Sequence, residues 1–235
     1  MSTAAAQNAK RKAGNYAADL VEDGMVIGLG TGSTVFYAME RLSERISEGL
    51  AVQGVPTSHQ AAMRARHLGI PVTTLDEYPV LDMAIDGADQ VDGALRLIKG
   101  RGAALVREKC VAAAADELVI VVDPGKITSI LDAPVPVEVI PFALAPVRLA
   151  IQEIGGDPTL REGIKKDGPV ITDNGNFILD CNFGPIEAPE RLEALLSVMI
   201  GVLDSGLFCE FTQKTTVLVG EAGGCRAIRA PVLRE

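Results

Sequence analysis

The chain has no tryptophan, only two histidines and only 4% aromatic residues among its 235 positions. The imidazoles are His59 and His67, and the four cysteines, Cys110, Cys181, Cys209 and Cys225, are far apart with no C-x-x-C pair. That leaves no ligand spacing for zinc. The cysteines are expected to be buried, reduced thiols of a cytoplasmic protein. Positive charge is also scarce. There are 22 Lys and Arg against 31 Asp and Glu, a formal net charge of −9, and the one basic run is Lys10-Arg11-Lys12. This argues against nucleic acid as a partner. An anionic ligand would have to be held locally, by backbone amides and a few placed cations. No apolar run approaches the roughly 18 residues of a membrane span. The opening stretch, MSTAAAQNAKRKAGNYAADL, lacks the apolar core of a signal peptide. The expectation is a cytoplasmic protein that does not enter a membrane.

What is present is an ordinary globular balance, 48% apolar and 23% charged, in a chain long enough for one large domain or two small ones. The first half alternates two kinds of segment. The pattern predicts helices over 6–22, 33–46, 59–67 and 103–115. It predicts strands over 25–30, 52–55, 70–75, 83–86 and 118–123. Apolar strands alternating with helices imply an α/β fold, a Rossmann-like, mostly parallel sheet with helices on both faces. The pattern changes near Ala133, where APVPVEVIPFALAPV is rich in Pro and Val. A helix over 143–154, two short strands around a turn at Asp173 to Gly175, and a helix over 188–200 follow. These predict a smaller α+β domain over 134–205, with 1–133 and 206–235 forming the larger one. GLFCEF and TVLVG, near the end, are expected to return as strands to the first sheet.

Two loops carry chemistry. GLGTGST, Gly28 to Thr34, follows the first strand and opens a helix. Its glycines permit a tight turn and close approach of a ligand, Thr31, Ser33 and Thr34 offer hydroxyls, and Ser33 or Thr34 can cap the helix. Amides at a helix start favour an anion. The spacing is neither the dinucleotide fingerprint nor a P-loop, so the loop reads as a phosphate or sugar site or as a structural turn. DGADQVDG places Asp86, Asp89 and Asp92 three apart. A calcium loop needs carboxylates at alternate positions, so this spacing leaves an acid–base group or a solvated turn. In an open parallel sheet, ligands bind beyond the carboxyl ends of strands, and both loops are expected there.

A third stretch, LIKGRGAALVREK, sets Lys99 before another glycine-rich turn and Arg107, Glu108 and Lys109 in the next helix. The helical neighbours of Glu108, namely Ala104, Leu105, Val111 and Ala112, are all apolar. Burial there disfavours the charged carboxylate and suits a general base. The helix is apolar almost all round, however, so Arg107 and Lys109 have similar neighbours. A structural ion pair explains the residues as well as catalysis does.

Taken together, GLGTGST (28–34), PTS (56–58), DGAD (86–89), KGRGAALVREK (99–109), DPGK (123–126), PVEVIP (136–141) and TDNGN (172–176) resemble ribose-5-phosphate isomerase of type A over the whole chain. The resemblance implies interconversion of ribose 5-phosphate and ribulose 5-phosphate through an enediolate, without metal or cofactor. It implies Glu108 as general base, Asp86 as the group assisting ring opening and proton transfer at the sugar oxygens, Lys99 as the cation at the developing oxyanion, and Asp89 as a second carboxylate. Thr31, Gly32, Ser33, Thr34 and Lys126 match substrate-binding positions, and so do Gly87, Ala88, Gly100, Arg101 and Gly102 within the two loops. Asp92 is left as turn chemistry. Two positions depart from the family pattern, Gln90 where Glu is common and Arg101 where Gly is common. The family also implies a homodimer or homotetramer, with contacts sought on the small domain.

The same architecture occurs in sugar-phosphate-sensing domains of transcription regulators and in sugar-phosphate deaminases or lactonases. About 24 residues before the first strand are too few for a DNA-binding helix-turn-helix, and a pure sensor would have no use for Lys99 and Glu108. The paired DGAD and KGRGAALVREK stretches argue against the deaminase or lactonase.

Overall fold

The computed structural model describes residues 3–230. In chain order the first elements are α1 (Thr3–Asp19), β1 (Val26–Leu29), α2 (Ser33–Ser47), β2 (Gln53–Pro56), α3 (His59–His67) and β3 (Leu81–Asp86). Next come β4 (Gln90–Val91), β5 (Leu97–Ile98), α4 (Leu105–Ala114), β6 (Ala115–Val122), β7 (Val135–Val139), α5 (Leu144–Glu153) and β8 (Asp157–Leu160). The chain closes with β9 (Phe177–Asn182), α6 (Pro189–Ser197), β10 (Val202–Ser205), β11 (Leu207–Phe208), β12 (Thr215–Glu221) and β13 (Gly224–Arg229). No described helix is long and apolar enough to cross a membrane.

The chain divides into two compact units. The first comprises the residues up to Ala88, Arg107–Ile127 and those from Phe211 onward; the second comprises Asp89–Val106 and Thr128–Glu210. The first unit is built on a six-stranded sheet of order β13-β12-β6-β3-β1-β2. All neighbours in it are parallel except β12 and β13, which form an antiparallel edge. Side chains alternate across a strand, and β1 shows the consequence. Ile27 and Leu29 enter a core with Ala13, Ala17, Val35, Ala38 and Leu42 from the helices on one face. Gly28 faces the other way, where an added Cβ would lie 2.2 Å from Val111 of α4. The missing side chain therefore lets α4 pack directly on the opposite face, and both faces of the sheet are covered.

The second unit holds two antiparallel sheets, one of order β10-β7-β9-β8 and one of order β11-β5-β4. Val135, Val137 and Val139 of β7 are fully buried with Val147, Ile151, Leu179, Cys181 and Leu196. Burial pushes the Cys181 thiol up to about 12 and raises Cys209 as well, which leaves both unreactive. Cys110 is exposed and Cys225 half-buried, against the expectation that all four thiols are buried.

Three expected strands differ. Residues 70–75 make only a bridge from Val72 to Gly54, because Pro71 has no N–H to extend a ladder and the chain turns at Thr74 to Tyr78. The segment before the 173–175 turn makes only a bridge from Pro169 to Glu162, and Thr172 is committed to the turn itself. GLFCEF does not return to the first sheet: β11 pairs with β5, and only TVLVG, in β12, lies beside β6.

Candidate active site

In the first unit β1, β2, β3 and β6 run parallel, so their carboxyl ends share one edge. The loops leaving that edge are 30–34 after β1, 57–58 after β2, 86–88 after β3 and 123–126 after β6, and all but the second carry expected ligand residues. The chain moves from β1 to β2 on one side and reaches β3 on the other. The first and third of these loops thus flank the topological switch point, where ligands of open α/β sheets bind.

The two flanking loops are tied together. Gly30 N–H donates to the Ile85 carbonyl at 2.9 Å, and Thr31 N–H and Gly87 N–H reach Asp86 Oδ1 at 3.3 and 2.7 Å. Asp86 is buried, 4% exposed. A Cβ on residue 30 would lie 2.1 Å from Asp86 Oδ1 and 2.8 Å from its Cα, so only glycine permits this approach. Thr31 Oγ1 lies 3.1 Å from Thr57 Oγ1 and 2.8 Å from Ser58 Oγ, and the three hydroxyls form one polar cluster.

The capping expectation needs correction. Helix α2 begins at Ser33, its cap position is Gly32 with φ +125°, and no side chain caps it. Neither Ser33 nor Thr34 does so, because both already lie inside the first turn. Ser58 instead caps α3 by accepting from Ala61 N–H at 3.0 Å. The first-turn amides of α2 have no intrahelical partner, and the helix dipole adds positive potential there. Two cations that sequence reasoning passed over sit at this loop. Lys10 Nζ lies 3.1 Å from Ser33 Oγ, and Arg64 reaches the Gly32 carbonyl at 3.5 Å. The basic run at 10–12 was the available signal for Lys10; nothing local marked Arg64. Lys126 ends a single 3-10 turn that Asp123 caps through Gly125 N–H at 2.9 Å.

Helix α4 runs directly into β6, so its end lies at the amino edge of the sheet and its first turn toward the carboxyl edge. Glu108 is in that first turn, on the same side as the loops above. It is 5% exposed and Lys109 is 7% exposed, while Arg107 is half-buried. The fold thus buries two adjacent opposite charges, a distinction that the apolar periodicity did not contain.

In the second unit, Lys99 follows β5 and is 2% exposed, with Nζ 5.3 Å from the centre of the Phe208 ring. The ring face favours the ammonium. Its backbone N–H donates to the Gly206 carbonyl at 2.8 Å. Gly100 has φ +101°, where a Cβ would also crowd Leu105 and Pro136. Asp89 Oδ2 accepts from Arg101 N–H at 3.0 Å, while the Arg101 and Gly102 side positions are exposed. Asp92 is a turn residue, as expected, but a buried one. Its Oδ1 accepts from Ala94 and Arg96 N–H at 2.9 and 3.0 Å, and its Oδ2 pairs with Arg96 Nε at 2.6 Å. Among the described residues no three His, Cys, Asp or Glu side chains are grouped as metal ligands would be.

Residues 53–224 match the family model for ribose 5-phosphate isomerase A, also called phosphoriboisomerase A. The chain belongs to the ribose 5-phosphate isomerase A family. It is 58% identical to ribose-5-phosphate isomerase A of Methanoregula boonei over 223 residues, 95% of this chain and 94% of that one. Ribose 5-phosphate isomerase A of Methanocaldococcus jannaschii superposes with a TM-score of 0.89 at 45% identity, covering 94% of this chain and 97% of that one. A D-ribose-5-phosphate isomerase solved in complex with phospho-erythronic acid gives 0.90 at 42% identity, with the same coverage.

The two departures from the common pattern of ribose 5-phosphate isomerase A have structural explanations. Gln90 Nε2 donates to Asp132 Oδ1 at 2.6 Å, and its Oε1 accepts from Asp132 and Ala133 N–H, both at 2.9 Å. Only an amide can both donate and accept in this way; a carboxylate would face Asp132 with like charge. Arg101 enters its loop through backbone bonds that any residue could supply, and its side chain is exposed.

Proposed function

We propose that the protein interconverts D-ribose 5-phosphate and D-ribulose 5-phosphate by proton transfer between carbons 1 and 2. Glu108 removes the proton from carbon 2 of the open-chain aldose, which leaves an enediolate with its charge on O1, and O1 then takes up a proton to give the enediol. Loss of a proton from O2 and return of a proton from Glu108 to carbon 1 complete the ketose. Asp86 assists ring opening and shuttles protons at the sugar oxygens, and Asp89 is the second carboxylate. Lys99 stabilises the developing oxyanion electrostatically, so the proposed reaction takes no metal or cofactor. Thr31, Gly32, Ser33, Thr34 and Lys126 bind the phosphorylated sugar, with Gly87, Ala88, Gly100, Arg101 and Gly102 lining the reacting end.

One observation carries this reading. A buried carboxylate in the first turn of α4, Glu108, lies toward the edge of the sheet where Asp86 and the uncapped start of α2 also lie. Membership of the family supplies the substrate, and a relative holds a phosphorylated sugar acid. A phosphorylated pentose is a metabolite of the cytoplasm, and that is where we place the enzyme. Incubation with ribose 5-phosphate tests the reading. Ketose should accumulate to an equilibrium mixture that is also reached from ribulose 5-phosphate. A Tm raised by saturating sugar phosphate without any ketose would mean a binding protein instead.

We also propose a homo-oligomer joined through the second unit. Ile140, Phe142, Val198 and Ile200 are exposed there, Phe142 and Ile200 almost completely. They lie close together, because Gly201 packs on Ala143 and its carbonyl accepts from Ile140 N–H at 2.9 Å. Leu149, Leu195 and Leu203 of the same unit are also exposed, and clustered exposed apolar side chains mark interaction surfaces.

A further inference from the structure

Arg161 lies just beyond β8, about sixty residues from the loop that carries Lys99, and no part of the chemistry above uses it. Its guanidinium is engaged on every side. Nε donates to Asp180 Oδ2 at 2.8 Å, and a second nitrogen pairs with Asp180 Oδ1. The remaining nitrogen donates to two successive backbone carbonyls, Gly100 at 3.0 Å and Arg101 at 3.1 Å. The fork is largely buried, and Asp180 fixes its plane from β9. We propose that Arg161, oriented by Asp180, is a positioning residue that sets the peptide planes of the 100–102 loop.

The geometry gives this role content. In a planar trans peptide the N–H points opposite to the C=O. When Arg161 draws the Gly100 carbonyl toward itself, Arg101 N–H turns away, and it is found on Asp89 Oδ2. When it draws the Arg101 carbonyl, Gly102 N–H turns away in the same manner. Ala103 N–H also donates to the Gly100 carbonyl at 3.0 Å, and Arg161 adds the clamp that ties this amide to the next one and, through the first, to the orientation of the Asp89 carboxylate. Gly206 holds the other end of the loop, since its carbonyl accepts from Lys99 N–H and a Cβ there would strike the Lys99 carbonyl at 2.1 Å. Gly100, at φ +101°, has the freedom to tilt its planes unless they are clamped. A lysine could offer a charge at this position, but not a rigid fork that holds a carboxylate and two carbonyls together.

The role rests on the reading of Lys99 and Asp89 as reacting-site residues, and the experiment separates the two. Steady-state kinetics with ribose 5-phosphate are measured for Arg161→Lys, Arg161→Ala, Asp180→Asn and Lys99→Met, each with its melting temperature. A loop displaced by about 1 Å costs on the order of 10²-fold in rate. Arg161→Lys is expected to lower kcat by about 10- to 100-fold with KM changed much less, and Asp180→Asn to do the same more weakly. Added guanidinium should restore part of the rate of Arg161→Ala, and added ammonium should not. If Arg161→Ala does not fold, Arg161→Lys and Asp180→Asn decide alone. Folded variants with wild-type kcat, while Lys99→Met is inactive, would overturn the positioning role and leave the site reading intact. A fully active Lys99→Met would overturn the site reading itself.

Discussion

Two glycine-rich loops in this molecule solve opposite problems. The 30–34 loop of the first unit leaves donors open: its helix starts without a side-chain cap, and hydroxyls of Thr31, Thr57 and Ser58 gather beside it. Its glycine at 30 is required so that Asp86 can come close. The 99–102 loop of the second unit has its backbone taken up by the protein. Gly206 accepts from Lys99, Asp89 accepts from Arg101, and Arg161 donates to the carbonyls of Gly100 and Arg101. The first loop offers helix-start amides and hydroxyls, which suit the anion we propose it binds. The second is built to hold one buried lysine and one carboxylate still. Glycine content alone does not distinguish the two; what the neighbouring side chains do with the backbone groups does.

The comparison can be broken most severely at the proton-transfer group. Glu108→Gln keeps size and hydrogen bonding but cannot accept a proton from carbon, and kcat should fall by about 10²–10⁴-fold while sugar phosphate still raises the melting temperature. Next is Gly30→Ala. Its Cβ would displace the Asp86 carboxylate, and kcat/KM should fall by about 10²-fold, more through kcat than through KM. A smaller effect is expected on the apolar face of the second unit. Ile200→Asp should weaken self-association by about 30-fold, read by sedimentation across a concentration series; an unchanged species distribution would move the interface elsewhere. The smallest effect on turnover belongs to Asp92→Asn. It replaces a buried carboxylate that holds two amides and Arg96, so stability should drop by about 1–3 kcal/mol in denaturant titration, with kcat unchanged.

Local signals were legible and distant ones were not. α3 was readable to its ends because Ser58 caps it and the apolar strand β2 stops just before it. β1, β3, β6 and β12 were readable because their apolar runs are buried; β13, at the antiparallel edge and partly exposed, has no such run and was not expected. The strand expected over 70–75 failed on Pro71, which fits an apolar pattern but cannot donate to a ladder, and on the turn that begins at Thr74. Both glycine-rich loops could be found from their glycines and hydroxyls, and Asp86 from its place at a strand end. Arg161 and Arg64 could not be found. Each is one charged residue whose partners lie tens of positions away, and no periodicity marks such a pairing. Glu108 and Lys109 fall between these cases. Their apolar surroundings were visible, but which of three adjacent charges turns inward depends on Gly28 letting α4 settle on β1.

The central claim is that Glu108 moves the proton between carbons 1 and 2. Ribose 5-phosphate carrying deuterium at carbon 2 tests it most directly, with label appearance in solvent water followed for the wild type and for Glu108→Gln. The account predicts label loss from the wild type during turnover and a rate lower by about 10²–10⁴-fold in the variant. Label loss at the wild-type rate from folded Glu108→Gln would contradict it. Glu108 would then be a structural partner of its buried neighbours, and the base would lie at Asp86 or Asp89.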